Sequence, residues 1–87
     1  MNAFTLIFDS IANPANGVPK YRFMAKRDGC ESTASLKHFP TLGEAVLFAR
    51  LLGIEGEPLR KMEAALSIDE TFVVKGAMLS DEHCLRD

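Results

Sequence analysis

The sequence predicts an α+β fold: an antiparallel sheet of three or four strands with two helices packed on one face, in the order β-β-β-α-α-β. Three observations predict it. Residues 20–53 read as a β-hairpin that runs directly into a capped helix. Phe4, Leu6 and Phe8 alternate with Thr5, Ile7 and Asp9, the period of a half-buried strand. After a second helix opened by Pro58, the run Thr71 to Leu79 is rich in Phe and Val, which suit a pleated surface.

The first strand is expected over Asn2 to Asp9. Ser10 to Pro19 then holds Pro14, Pro19 and Asn16-Gly17, residues that stop a ladder and favour turns, so it is a loop. The second strand spans Lys20 to Arg27, Asp28-Gly29 is a tight turn, and Cys30 to His38 returns. A two-residue Asp-Gly turn would set Arg27 opposite Cys30, Phe23 opposite Ala34 and Tyr21 opposite Leu36. Tyr21, Phe23 and Leu36 would then face the core, and Lys20, Arg22, Met24, Lys26 and Lys37 would face away. That register leaves Phe39 on the outer side, unless a bulge or the strand-to-helix junction turns it inward. A longer hairpin loop is the competing register, because Cys30 to Thr33 has little drive to pair early.

Thr41 and Glu44 have the spacing of a capping box, so a helix starts there. Leu42, Ala45, Val46, Ala49 and Leu52 form its core stripe, which Leu47, Phe48 and Leu51 widen. Gly53 suits the position just past the helix end, with Ile54 folding back on Phe48. Pro58 begins a shorter helix through about Ser67, with Leu59, Met62 and Leu66 inward. Gly76 weakens the last strand, and a second S-x-x-E box at Ser67 to Glu70 competes with it. Residues 80–87 read as a polar tail on a single domain over 1–79.

Composition bounds the function classes. With 87 residues the chain is one domain, and 47 % apolar with 25 % charged residues is globular rather than disordered. No apolar run approaches the roughly 20 residues that span a bilayer, and the start lacks a signal-peptide pattern, so a cytoplasmic protein with free thiols is expected. Cys30, His38, His83 and Cys84 lack the close-paired spacing of a zinc site. Asp81 to Cys84 holds acid, His and Cys, but in the tail, where a reactive geometry is hard to hold. Neither a cofactor, a metal nor a small-molecule substrate is expected, and an enzyme is not.

Charge is the feature above background. Residues 20–37 carry +3 and the remainder −5, within a total of −2. The expected contact residues are Arg22, Met24, Lys26 and Lys37 on the outer sheet face, with Arg27 at the turn. Two partner classes fit them. Met and Arg are enriched at protein interfaces, so a small accessory protein of adaptor or inhibitor type, or a homodimer, is the first. The second is a nucleic-acid-binding module, in which the same bases meet phosphates. A hairpin followed by the T-x-x-E-A helix start at Thr41 to Ala45 is similar to three-strands-plus-helix DNA-binding modules such as integrase arm-binding domains. Those modules are usually basic, whereas this chain is slightly acidic.

Overall fold

The computed structural model describes residues 2–29 and 33–79. The order is β1 (Asn2–Ser10), β2 (Tyr21–Arg27), β3 (Thr33–Phe39), α1 (Leu42–Leu51), α2 (Glu57–Ser67) and β4 (Phe72–Leu79). One antiparallel sheet has the strand order β3-β2-β1-β4. The first three strands form the expected meander, and β4 adds to the free edge of β1. Both helices lie on one face, α1 over β2 and β3, α2 over β1 and β4. The tail expected over 80–87, and Cys30 at the start of the returning strand, lie outside the described residues.

The core is built from alternate strand residues and one stripe of each helix. Phe4, Leu6 and Phe8 from β1 and Phe23 and Ala25 from β2 are buried against Ala45, Ala49, Leu52, Ile54, Met62 and Leu66. The two alanines let α1 approach the sheet closely, and the larger side chains fill the space around them. Aromatic rings run through this layer: Phe8 to Phe23 and Phe23 to Phe48 are each 4.9 Å between centroids, and Phe39 to Phe48 is 5.3 Å. Tilted and edge-on pairs at such spacing add about 0.5–1.5 kcal/mol each beyond burial.

Local signals hold at the helix ends. The Thr41 hydroxyl accepts from the Glu44 amide at 3.2 Å. The reciprocal bond differs from expectation: the Glu44 carboxylate accepts from the Thr41 hydroxyl, at 3.3 Å, rather than from its amide. Gly53, at φ 94°, follows the C-cap Leu52. Its amide donates to Arg50 O and that of Ile54 to Ala49 O, both at 3.0 Å, the paired bonds of a Schellman ending. Asp69 ends α2 the same way, with φ 58°, so the competing S-x-x-E helix start does not form.

The hairpin register is the main correction. Phe23 lies opposite Lys37, Met24 opposite Leu36 and Tyr21 opposite Phe39, three residues further along β3 than a two-residue turn dictates. Among the described residues the pair nearest the turn is Lys26 with Thr33, so Asp28-Gly29 does not set the register as a two-residue turn. The odd shift turns the β3 side chains from Ser35 to Phe39 to the other face, while an irregularity between Ala25 and Lys26 leaves Thr33 on the outer one. Phe39 thereby joins the core side, while Leu36 becomes 49 % exposed and Ser35 only 7 % exposed. The trade is physical: a phenylalanine ring beside Phe48 buries more apolar surface than Leu36 would. Meanwhile β2 spends its end on β1, where Arg27 pairs with Phe4 and the Asp28 amide donates to Ala3 O at 2.9 Å. Leu47 and Leu51 are also exposed rather than widening the core stripe.

Strand β4 carries a bulge. Leu6 pairs with Val74 and Phe4 with Ala77, so Lys75 and Gly76 together oppose Thr5. Gly76 supplies the positive φ of 71° that the bulge needs. It resets the alternation, so that Val74 and Ala77 both meet the core.

Candidate functional site

The face of the sheet without helices is a single platform, and its composition follows from the register. Because paired residues in antiparallel strands share a face, four positions fall in one row across all four strands: Leu36 opposite Met24, Met24 opposite Ile7, and Ile7 opposite Val73. All four are apolar. Leu36 and Val73, on the edge strands, are 49 % and 45 % exposed, and Met24 and Ile7 between them are half-buried. Scattered surface hydrophobes are ordinary, but a contiguous row spanning a whole sheet is the kind of surface that marks an interaction site.

Polar rows flank it. On one side His38, Arg22 and Asp9 lie in line. The Arg22 guanidinium grips the Asp9 carboxylate with both arms, Nε to Oδ1 at 3.0 Å and Nη2 to Oδ2 at 2.5 Å. The hydrogen bond to Asp9, and then its charge, raise the Arg22 pKa above its ordinary value. On the other side are Thr33, Lys26 and Thr5, with Lys75 at the bulge. The Thr5 hydroxyl donates to Asp28 Oδ1 at 3.1 Å.

The sequence-predicted contact residues divide. Arg22, Met24 and Lys26 stand on the helix-free face. Lys37 does not: opposite the core residue Phe23, it lies on the helix side with its ammonium 5.8 Å from the Phe48 ring centroid. Arg27 is in phase with Phe23 and Ala25, and its guanidinium lies 5.7 Å from the centroid of the Phe4 ring. Lys20 meets Asp69, beyond α2, at 3.5 Å. The continuous cationic strip expected along the hairpin is therefore broken, since the odd register shift carries Lys37 across the sheet and Asp9 answers Arg22.

Sequence reasoning missed Ile7, Leu36 and Val73 as surface residues. The signal for Ile7 was present, an isoleucine in the outward phase of an amphipathic strand. Leu36 and Val73 become neighbours of that row only through the hairpin register and the pairing of β4 with β1, neither of which is local. Among the described residues no three or more His, Cys, Asp or Glu gather in a metal-binding group, and no helix is long and apolar enough to cross a membrane. Neither a protein-family model, nor a curated protein, nor a solved structure matches this chain significantly.

Proposed function

We propose that this is a small non-enzymatic binding protein of the cytosol that recognises a protein through the helix-free face of its sheet. The observation that carries this reading is the unbroken apolar row Leu36, Met24, Ile7 and Val73 between two polar rows. An apolar centre with a polar rim is the anatomy of a protein interface. A phosphate-binding surface needs several uncompensated cations side by side. Here Lys26 and Lys75 stand at one end of the face, while Arg22 is already held by Asp9.

The test is a position-specific photo-cross-link in cells. A photoreactive phenylalanine analogue replaces Met24 in one version and Lys61, exposed on α2, in the other. Protein adducts that form at position 24 and not at 61 are the expected result. Nucleic-acid adducts at 24 would transfer the assignment to a nucleic-acid module. Equal protein labelling at both positions would remove the face as a site.

A further inference from the structure

Resting on that reading, we infer that the occupant of the helix-free face is a second copy of this chain, packed sheet to sheet about a two-fold axis that runs along the strands between β1 and β2. The argument is self-complementarity. Such an axis lays β2 of one copy on β1 of its partner and β3 on β4, each residue at its own height along the strands. Met24 then meets Ile7 across the interface and Leu36 meets Val73, so the apolar row covers itself. At the height of the next row, Arg22 of each copy meets Asp9 of the other, joining two internal ion pairs into a four-charge network. At the opposite flank Lys26 meets Thr5 and Lys75 faces the Thr33 end of β3; the lysines of both copies gather at this rim, where their long stems carry the charges out to water.

A second two-fold arrangement that keeps the sheets face to face has its axis across the strands. It stacks each strand on itself and exchanges the flanking rows, which sets Arg22 over Lys26. The reciprocal match of Arg22 with Asp9 favours the first orientation. The size is consistent with a reversible dimer. Four strands about 4.8 Å apart and seven residues long at about 3.3 Å each present a face of roughly 440 Å². Two such faces give about 900 Å², near the lower limit of about 1,000 Å² for specific interfaces, before side-chain relief is added. Exposure of Leu36 and Val73 at the sheet edges is what the row would look like before it is covered.

The experiment is sedimentation equilibrium, with light scattering, on the full chain from micromolar to millimolar concentration. The mass is expected to rise from 9.6 kDa towards twice that value. Met24→Asp should weaken association more than tenfold, with an unchanged circular-dichroism spectrum. Arg22→Asp alone and Asp9→Arg alone should each associate at least tenfold more weakly than the wild type. An equimolar mixture of these two variants should recover mixed dimers, because each altered charge then meets its opposite. A wild type that stays at 9.6 kDa up to millimolar concentration would overturn the second copy. So would Arg22→Asp dimerising more tightly than the wild type, or a mixture no tighter than its components. A strict monomer whose residue 24 cross-links to a different protein would leave the protein-binding reading standing; a monomer without such cross-links would sink both.

Discussion

Exchanging the roles of Phe39 and Leu36 is the most direct probe of how this chain chooses its register. In the observed pairing Phe39 lies opposite Tyr21 on the helix side, its ring 5.3 Å from Phe48, and Leu36 points away from the core. Truncating a fully buried phenylalanine to alanine costs about 3–5 kcal/mol. Phe39 is half-buried, so Phe39→Ala should cost about 2 kcal/mol, including its share of the ring contact. Leu36→Thr supplies a β-branched residue that suits a strand and removes a side chain that stands outside the core. Its cost should stay within about 0.5 kcal/mol. The register that an Asp28-Gly29 two-residue turn would impose inverts both numbers. Thermal and urea unfolding, run well below the concentration at which copies associate, measure the difference. A loss of about 2 kcal/mol lowers the melting temperature by roughly 8–16 °C in a domain of this size. If Leu36→Thr proves the more destabilising of the two, the register assigned to β3, and with it the apolar row, is wrong.

Three further substitutions test separate parts of the fold. The Ser35 hydroxyl is buried without a hydrogen-bond partner among the described residues, so Ser35→Ala should raise stability by about 1 kcal/mol in urea unfolding; a loss would reveal a bond the serine does make. Gly76→Ala meets open space, but it forces a side chain onto φ 71° and should cost about 1 kcal/mol, whereas a flat, unbulged strand would tolerate it. Thr41→Ala removes the acceptor for the Glu44 amide and should cost about 1 kcal/mol, with Thr41→Asp restoring most of it; equal losses in both variants would refute a capping role.

How much was legible in the sequence depended on distance along the chain. Strand β1 announced its inner face through Phe4, Leu6 and Phe8, and all three are buried. Thr41, Glu44 and Gly53 bounded α1, because caps are made by residues three or four apart that meet whatever the rest of the chain does. Leu59, Met62 and Leu66 set the inner side of α2 for the same reason. The hairpin was legible as a hairpin, but its turn chemistry pointed to the wrong pairing. A turn contributes a local preference, and here it is outweighed by the burial of Phe39 against Phe48 and by the hold of β1 on the end of β2.

What the sequence determined alone was therefore the list of elements, their order and the ends of the helices, each written in contacts between near neighbours. The tertiary structure decided which residues share a surface. Lys37 left the cationic strip, Arg22 found Asp9, and Ile7, Leu36 and Val73 came into line with Met24. Side chains in a strand alternate with a period of two, so one odd step in pairing reassigns a whole strand. That step is set by packing between residues far apart in the chain, which no local pattern records.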